Sequence, residues 1–361
     1  MTDFSKKLIL WYIDNQRELP WRQTKDPYRI WLSEIILQQT RVEQGMPYYF
    51  SFINAYPDVT SLANANEDDV LKLWQGLGYY SRARNLHATA KTIAYNLEGK
   101  FPDNYKGLLR LKGVGDYTAS AIASICFNES AAVVDGNVYR VLSRVFGIAT
   151  PIDTTIGKRE FKELAQHLID ENDPATFNQA IMEFGAIQCK PKNPYCLHCP
   201  FNDNCVALKE NKIDKLPVKQ GKIKVRDRHF NYLVYITDDG KTILNQRDAK
   251  GIWGGLYEFP LIETDKNYEP DDFLKFLEDD TLVKEPRSAY SKLPQLGSAD
   301  VRLYNDKAIL HKLSHQNLYV KFWIASVTGV KGDNVVPVDK IGDFAVPRVI
   351  DRFLETFNFS N

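Results

Sequence analysis

Four cysteines in one short segment constrain the fold of this 361-residue chain more than any other feature. They follow a C-x6-C-x2-C-x5-C spacing, and only one other cysteine occurs in the chain. Four thiolates so close together are suited to binding one metal centre. Structural zinc normally uses two tight cysteine or histidine pairs, but only the central pair is tight here, so the wide outer spacings favour a [4Fe–4S] cluster. The four residues are Cys189, Cys196, Cys199 and Cys205.

Two disulfides are the alternative explanation for these cysteines. A chain of this length can bury a large core without covalent cross-links. The apolar stretch Leu8–Ile13, which follows Lys6 and Lys7, is too short for a secretory signal. No apolar run reaches the roughly 18 residues that a membrane helix needs. We therefore expect reduced cysteines in a cytoplasmic protein without membrane association.

The overall composition is that of an ordinary globular protein. Hydrophobic residues make up 44% of the chain and charged residues 25%, and the length predicts two domains or three. The formal net charge is zero, so total charge identifies no partner. Local charge is more informative, because the segment from Lys209 to Arg228 is rich in lysine and arginine. This segment is either a basic linker suited to a polyanion or a merely solvated linker.

The spacing of apolar residues changes near Leu216, which predicts a helical first part and a mixed second part. Before that point, apolar residues recur at helical intervals between short polar segments. Beyond the basic linker, β-branched and aromatic runs predict an α+β part with a mainly antiparallel sheet. The predicted helices are 30–42, 70–77, 86–97, 117–127, 138–146, 161–169, 177–187, 271–277 and 347–357, and the predicted strands are 232–237, 242–245, 256–262 and 318–327.

A Gly-Val-Gly turn lies between two of the helical patterns. Gly113 and Gly115 have no Cβ, so their backbone can adopt left-handed angles and approach a ligand closely. The next helix is predicted to begin near Asp116, where its free N–H groups and its dipole suit a phosphate oxygen. With Val114 between the glycines, the segment fits a helix–hairpin–helix grip on a nucleic-acid backbone. A plain helix–helix turn is the alternative.

Two carboxyl side chains are candidates for catalysis. Glu34 lies beside Trp31 and several aliphatic residues on a predicted helix that is apolar on most sides. Burial there would raise its pKa and provide a general acid near neutral pH, unless the carboxylate pairs with an arginine. Asp135 stands at the start of another predicted helix, where an N-cap role is the simpler explanation.

Taken together, these segments resemble the endonuclease III superfamily of DNA glycosylases. The superfamily signature combines a helix–hairpin–helix turn, a Val-Asp-Gly-Asn segment, here 134–137, and the four-cysteine loop. The Ser-Glu-Ile-Ile-Leu-Gln-Gln-Thr segment at 33–40 and a second domain that contains strands are similar to the MutY-type adenine glycosylases of that superfamily. The resemblance is strong over 20–205 and weaker beyond 229.

The resemblance implies an architecture and a substrate. Residues 1–217 would form a mostly α helix–hairpin–helix glycosylase domain, with a six-helix barrel at about 22–130 and a [4Fe–4S] subdomain from 1–21 and 131–217. A basic linker, 218–228, would lead to an α+β Nudix-like domain, 229–361. The substrate would be double-stranded DNA with adenine opposite 8-oxoguanine or guanine. The protein would be a monomer of the bacterial cytoplasm, associated with the nucleoid when it is bound to DNA.

The resemblance also implies roles for individual residues. Glu34 would protonate N7 of the flipped adenine, and an ionised Asp135 would stabilise or trap the oxocarbenium ion. Tyr117 and Asn137 would position these groups and water. Superfamily members that also cut the strand carry a lysine two residues after the second hairpin glycine, where it forms a Schiff base. Because Tyr117 stands there, we expect a monofunctional enzyme with weak strand cleavage at most.

Further residues match positions that contact DNA or bases in the family. Arg22 and Glu183 match the adenine pocket, although a surface arginine and a helix-face glutamate are simpler interpretations. Gln39 and Tyr79 match the pair that fills the gap left by the flipped base, and a core tyrosine is the alternative for Tyr79. Cys126 is expected to be a buried core thiol rather than a fifth ligand.

The second domain is similar to the Nudix fold but lacks its metal-binding helix. Residues 253–260 resemble the strand before a Nudix box, yet no Arg-Glu-x-x-Glu-Glu segment follows, which disfavours hydrolysis of nucleoside diphosphates on Mg²⁺. The family recognises 8-oxoguanine through a Phe-Ser-His loop, which Leu313, Ser314 and His315 match here. The leucine weakens any aromatic contribution, and an ordinary strand-end histidine is the alternative for His315.

Three other functions stay open at this point. A thymine–guanine or oxidised-pyrimidine glycosylase is disfavoured by Glu34 and by the extra domain. A non-catalytic iron–sulfur protein that binds DNA or senses redox state would not need Glu34 and Asp135 in one site. A Nudix hydrolase would need the missing metal helix.

Overall fold

A computed structural model describes four stretches of the chain. None of the helices in these stretches combines the length and the apolar character that crossing a lipid bilayer requires. Two residues of the predicted basic linker, Lys222 and Ile223, lie outside them. The described stretches are 1–221, 224–248, 250–278 and 300–359.

Residue contacts divide the chain into two units that do not follow sequence order. The first unit consists of Met1–Ala65 and Arg84–Lys222, and the second consists of Asn66–Ala83 and Ile223–Asn361. A short piece of the predicted helical part therefore groups with the C-terminal part of the chain.

The described chain before residue 222 folds into helices, as its apolar periodicity predicts. Asp26, Asp58 and Asp135 each cap a helix by accepting hydrogen bonds from backbone N–H groups of its first turn. The helices are α1 (Asp3–Asn15), α2 (Pro27–Ile36), α3 (Val42–Ala55), α4 (Val59–Asn64), α5 (Glu67–Leu73), α6 (Ser81–Lys91), α7 (Tyr105–Leu108), α8 (Asp116–Phe127), α9 (Gly136–Phe146), α10 (Thr155–Leu168), α11 (Pro174–Glu183) and α12 (Val206–Lys209).

The single helix predicted over 30–42 is wrong, because the chain turns between α2 and α3. The helix ends at Ile36, and Gln39 adopts a left-handed φ of 56° before α3 begins. Gly45 on α3 packs closely against the turn, since a Cβ at that position would lie 2.9 Å from Leu37 Cδ2. A glycine at the contact thus lets the two helices approach, a tertiary requirement that periodicity does not reveal.

The small-residue helix α8 positions the site of the first unit. Ala119, Ala121, Ile122 and Ala123 are fully buried, and the helix packs against both α2 and α11. Small side chains on several faces let neighbouring helices approach closely from more than one direction. Side chains on α2, α8 and α11 therefore meet in one place.

The second unit contains a mixed five-stranded sheet. Its path is β5-β1-β8-β6, and β7 also pairs with β8. The expected antiparallel pairing holds for most strands, but the long central pair of β1 and β8 is parallel, with Arg226 opposite Gln316. The described strands of the second unit, in this sheet and outside it, are β1 (Arg226–Thr237), β2 (Lys241–Ile243), β3 (Asn245–Gln246), β4 (Tyr257–Glu258), β5 (Leu261–Thr264), β6 (Asp300–Leu303), β7 (Ile309–Lys312), β8 (Gln316–Val327) and β9 (Val335–Pro337).

Both faces of this sheet are covered, which explains the nearly continuous apolar runs of β1 and β8. Tyr232 on one face packs in a cluster with Phe353 of α14 (Arg348–Thr356). Leu233 on the other face packs with Phe273 of α13 (Pro270–Glu278). The predicted helical first part and α+β second part are thus both confirmed.

The segment Asn66–Ala83 is tied to the second unit by polar contacts. Lys72 Nζ donates a hydrogen bond to the Phe344 carbonyl at 3.0 Å. The side-chain amide of Gln75 donates to Asp351 Oδ1 at 2.9 Å. These contacts link residues more than 270 positions apart, so local sequence patterns do not predict them.

Candidate active site

A cavity of about 470 Å³ lies among the helices of the first unit. Its lining comes from α2, α8, α9, α11 and the short 3₁₀ turn before α2, so distant segments build one site. Six residues predicted from the sequence meet there, and they are Arg22, Glu34, Tyr117, Asp135, Asn137 and Glu183.

Glu34 lies near the end of α2 and faces the cavity. Burial raises the pKa of its carboxyl to about 7, a hydrogen bond from Tyr117 opposes that rise, and the negative charge of Asp135 adds to it. Arg22 pairs with Glu183 at 2.8 Å, and its charge lowers the pKa of Glu34 by less than burial raises it. A carboxyl group with this pKa carries a proton in a large fraction of molecules at neutral pH, as a general acid requires.

Asp135 caps α9 and also faces the cavity. Its Oδ1 accepts hydrogen bonds from the backbone N–H groups of Asn137 at 2.9 Å and Val138 at 2.8 Å. Its Oδ2 accepts one from the Asn137 side-chain amide at 2.9 Å. Burial raises the pKa of Asp135 above its ordinary value, and these donors and the charge of Arg140 offset that rise only in part. Capping and a position in the cavity are therefore compatible, and the donors favour the ionised carboxylate.

Tyr117, the second residue of α8, stands between the two carboxyl groups and α11. Burial and the negative charges of Glu34 and Asp135 raise the pKa of its phenol well above the ordinary value. Its hydroxyl donates a hydrogen bond to the Met182 sulfur at 3.1 Å. Tyr117 is therefore a neutral hydrogen-bond donor at any pH near neutrality.

Glu183 is buried and held by two arginines. Arg17 donates to its carboxylate from Nε at 2.8 Å and from Nη2 at 2.7 Å, and Arg22 Nη2 donates at 2.8 Å. Burial raises the pKa of Glu183, but the hydrogen bonds from Arg17 and Arg22 outweigh burial and bring the pKa to about 2. Sequence reasoning missed Arg17, although it lies only five residues before Arg22.

Arg140 on α9 is a second residue that sequence reasoning missed. Its Nη2 donates to Asn137 Oδ1 at 2.8 Å, and its Nε donates to the Cys189 carbonyl at 2.7 Å. Asn137 in turn binds Asp135. One guanidinium group thus joins the residue that orients Asp135 to the backbone of the first cysteine. The signal in the sequence was its spacing three residues after Asn137, which places both on one helix face.

The four predicted cysteines line one further cavity of the first unit. All of them are free thiols, which contradicts the disulfide alternative. Cys189 Sγ accepts a hydrogen bond from Arg144 Nη1 at 3.6 Å, and Cys199 Sγ accepts one from the Phe201 N–H at 3.4 Å. Donors to sulfur are suited to stabilising thiolates around a cluster.

The cysteine cavity is small, with a volume of about 20 Å³. In the part of the chain that the structure describes, no three His, Cys, Asp or Glu side chains are arranged to hold a single metal ion. A single zinc would gather its sulfurs at about 2.3 Å from one point, whereas a [4Fe–4S] cluster takes each cysteine on a different iron. Cys126 lies apart on α8 and is only partly buried, which corrects the expected core position, although burial raises the pKa of its thiol to about 12.

The predicted phosphate turn has a left-handed backbone at Gly113 but not at Gly115, whose φ is −91°. Gly113 has a φ of 77°, and a Cβ there would lie 2.7 Å from Asn85 Cβ. Val114 is buried, and Gly115 is the N-cap of α8 with no side-chain capping bond. The first N–H groups of α8 are thus available to an anion.

The remaining predicted residues lie outside the acid–base cavity. Gln39 is exposed in the turn after α2. In the second unit, Tyr79 is 49% exposed, which excludes a core role, and its hydroxyl lies 2.6 Å from Ser314 Oγ. Ser314 and the exposed His315 form the hairpin between β7 and β8, where Leu313 packs partly against the core of the sheet.

Comparison with known proteins identifies both parts of the chain. Residues 32–170 match the family described as HhH-GPD superfamily base excision DNA repair protein, and residues 231–356 match the NUDIX domain family. The fold of 57% of the chain is similar to a thermostable thymine-DNA glycosylase, with a TM-score of 0.54 and 30% identity over 95% of that protein. A non-covalent endonuclease III–DNA complex shares the fold over 58% of the chain and 94% of its own, with a TM-score of 0.51 and 20% identity.

Curated relatives extend the likeness to both units. The adenine DNA glycosylase of Buchnera aphidicola subsp. Schizaphis graminum is 36% identical over 72% of this chain and 75% of its own. That of Buchnera aphidicola subsp. Baizongia pistaciae is 32% identical over 89% of this chain and 86% of its own. The human adenine DNA glycosylase is 42% identical over 57% of this chain and 40% of its own. Because the chain covers at least 75% of both Buchnera relatives at 32% identity or more, it belongs to the adenine DNA glycosylase family.

Proposed function

We propose that this protein is a monofunctional DNA glycosylase that excises adenine opposite 8-oxoguanine or guanine in base excision repair. The observation that carries the proposal is the cavity that holds Glu34 and Asp135 together. Burial brings the pKa of Glu34 to about 7, while three hydrogen bonds favour the ionised form of Asp135. Two carboxyl groups with opposite protonation needs are what cleavage of a glycosidic bond requires.

The proposed reaction begins when adenine leaves the base stack and enters the cavity. Glu34 gives its proton to N7, and the bond between C1′ and N9 breaks with its electron pair staying on the base. The positive charge that develops on the sugar is stabilised by the Asp135 carboxylate. Water then adds to C1′ and returns a proton to Glu34, which leaves free adenine and an abasic site.

Tyr117 and Asn137 serve this reaction by positioning. Asn137 holds one oxygen of Asp135 through its side-chain amide and is itself held by Arg140. Tyr117 stays a neutral donor beside Glu34, because its pKa is raised well above its ordinary value. Since the lyase lysine is replaced by Tyr117, no amine stands where it would form a Schiff base, and strand cleavage is expected to be weak or absent.

The arginine cluster, which we define as Arg17, Arg22 and Glu183, forms the wall that receives the base. Its carboxylate is fully engaged by two guanidinium groups, so it stays ionised and rigid. A rigid polar wall orients the adenine so that N7 faces Glu34.

Contacts to the rest of the duplex are assigned to exposed residues. The N–H groups that follow Gly113, Val114 and Gly115 bind a phosphate. Gln39 and Tyr79 fill the gap in the stack. On the lesion strand, the hydroxyl of Ser314 and the ring of His315 contact the 8-oxoguanine and its backbone, and Leu313 supports their hairpin.

We also assign the four-cysteine cavity to a [4Fe–4S] cluster, bound through Cys189, Cys196, Cys199 and Cys205. When bound, the cluster cross-links the loop that follows α11. A broad absorbance near 400 nm with about four iron atoms per chain is expected, and a colourless protein with stoichiometric zinc would exclude the cluster. The monomeric state and the bacterial cytoplasm complete the proposal, together with a division into a helical domain, a linker that begins at 218 and an α+β domain. Residues 226–228 of the predicted linker belong to β1.

The test of the proposed function is single-turnover cleavage of an end-labelled duplex with one adenine opposite 8-oxoguanine. Breaks that need alkali would support base removal without lyase chemistry, and breaks without alkali would reveal an amine nucleophile. A matched duplex with thymine opposite guanine tests the thymine-glycosylase alternative. Strong DNA binding without breaks in either duplex would point to a non-catalytic iron–sulfur protein.

A further inference from the structure

We propose that Met182 is a positioning residue for the acid step, because its sulfur holds the Tyr117 hydroxyl hydrogen while Glu34 carries its proton. The direct contact is the hydrogen bond from the Tyr117 hydroxyl to Met182 Sδ at 3.1 Å. The inference rests on the proposed function and deepens it, since it concerns the proton that Glu34 delivers. Met182 reaches the cavity from α11, the helix against which α8 packs.

One phenol hydrogen has two acceptors in this site. A tyrosine hydroxyl donates a single hydrogen bond, and the Tyr117 hydroxyl can give it to Glu34 or to Met182. Donation to Glu34 stabilises the carboxylate, the form that cannot protonate adenine. A thioether is a weak acceptor, so it takes the hydrogen when Glu34 is neutral and yields it when Glu34 is ionised. The sulfur therefore makes the protonated, active form of Glu34 easier to populate.

Other acceptors on α11 already accept from different donors. Gln179 Oε1 accepts a hydrogen bond from the Tyr12 hydroxyl at 2.8 Å. Glu183 binds Arg17 and Arg22 through both of its carboxylate oxygens. The sulfur of Met182 is thus the atom of α11 that accepts the hydrogen bond from the Tyr117 hydroxyl.

The charged and titratable groups around Glu34 come from several elements. Tyr117 and the Cys126 thiol belong to α8, Asp135 caps α9, and Arg22 lies on the 3₁₀ turn. Four further charged residues line the same cavity, and they are Arg17, Arg41, Glu43 and Glu183. Because Met182 is uncharged, a substitution there by another uncharged residue removes none of these charges. A change in the pH profile of such a variant therefore reports on the acceptor and not on a lost charge.

The experiment measures the single-turnover rate of adenine release against pH for the full-length, cluster-containing protein. Met182→Leu keeps the size of the side chain but removes the acceptor, so the ionised form of Glu34 becomes more stable relative to the neutral form. The alkaline midpoint, the pH at which the rate has fallen to half its maximum, then decreases by about half a pH unit. The rate at pH 8 then drops roughly threefold. Met182→Gln offers a stronger acceptor, so the alkaline midpoint of this variant should increase. This second variant still tests the proposal if Met182→Leu folds poorly.

Matched controls separate this mechanism from a packing defect. Met46→Leu, on α3 and not in the cavity lining, makes the same chemical change and leaves the midpoint unmoved. In a Tyr117→Phe background, Met182→Leu has no further effect on the midpoint, because the donor is absent. An unmoved midpoint in Met182→Leu, or an equal shift in the Tyr117→Phe background, would overturn the proposal. A wild-type protein that releases no adenine at any pH would instead overturn the proposed function on which it rests.

Discussion

Compared with Glu183 in the arginine cluster, Glu34 in the same cavity has the opposite tendency to hold a proton. We call Glu34, Tyr117 and Asp135 the acid cluster. Burial raises the pKa of Glu34 to about 7, whereas the hydrogen bonds from two arginines outweigh burial and bring that of Glu183 to about 2. The comparison teaches that partners, and not burial alone, decide which carboxyl group in a cavity becomes an acid.

The largest expected effect comes from removing the acid cluster's carboxyl groups. Glu34→Gln cannot protonate the base, and Asp135→Asn cannot stabilise the sugar cation. Each variant is expected to slow single-turnover adenine release at least about 100-fold at pH 7. Binding of the same duplex should stay close to wild type, which shows that each variant is folded. Near-normal rates in both variants would contradict the assignment of the acid cluster.

The next prediction compares the free energies of unfolding of variants in the arginine cluster and in the acid cluster. Glu183→Gln leaves two guanidinium groups without their carboxylate, and we expect it to lower the free energy of unfolding by about 2 kcal/mol at pH 7. The value is below that of a fully buried pair, because the Arg17 side chain is 34% exposed and water screens it. Glu34→Gln, the matched change in the acid cluster, should not destabilise. Urea unfolding of both variants checks this, and equal losses would refute the contrast.

The pH dependence of these variants has opposite signs. The pKa of Glu183 in the folded protein, about 2, lies below its usual 4.5, so its contribution is present above about pH 4.5 and is lost as pH falls towards 2. The pKa of Glu34, about 7, lies above its usual 4.5, so ionising it weakens the fold as pH rises from 4.5 through 7. The loss in the free energy of unfolding caused by Glu183→Gln should therefore become smaller as pH falls. Glu34→Gln should become more stable relative to the wild-type protein as pH rises.

The rate of the wild-type enzyme should follow the proton on Glu34. With a pKa of about 7, the rate of adenine release is expected to fall roughly 15-fold between pH 7 and pH 8.5 as the acid is lost. A single-turnover pH series checks this, with DNA binding measured at each pH as the control. A flat profile from pH 6 to 9 would show that Glu34 is not the acid.

The smallest expected effect tests whether the pKa of Glu34 is set by its immediate surroundings or by the stability of the whole fold. Gly113→Ala should cost about 1 kcal/mol, because the φ of 77° is unfavourable and the new Cβ would lie 2.7 Å from Asn85 Cβ. Gly115→Ala is the matched control, since a Cβ there meets nothing within 4 Å. Thermal unfolding should separate the two variants. Both should keep the alkaline midpoint of the wild-type rate, and a shifted midpoint would show that global stability sets the pKa of Glu34.

Much of the site could be predicted from local patterns, and the rest depends on long-range contacts. Glu34, Asp135 and the four cysteines each lie in a short segment whose chemistry is visible in the sequence. Arg17 was missed because its partner Glu183 is 166 residues away, and Met182 was missed because an isolated methionine on a helix has no pattern. The break between α2 and α3 was missed because the close packing of Gly45 against the turn is visible only in the folded chain.

The second unit shows the same division. Its strands are visible as β-branched and aromatic runs, since each residue contributes its own preference. The parallel pairing of β1 with β8 joins segments about ninety residues apart, such as Arg226 and Gln316. Pairing of this kind is chosen by how the sheet buries both faces and not by local preference.

The sequence by itself determined most of the helices, the cap at Asp135, the Gly113 turn and the spacing of the four cysteines. Each of these follows from backbone preferences and neighbours within a few residues. The tertiary structure alone decided which carboxyl group keeps a proton, because the burial of Glu34 and the arginines around Glu183 exist only when α2, α8, α9 and α11 pack together. A pKa depends on solvent and on nearby charge, and folding sets both.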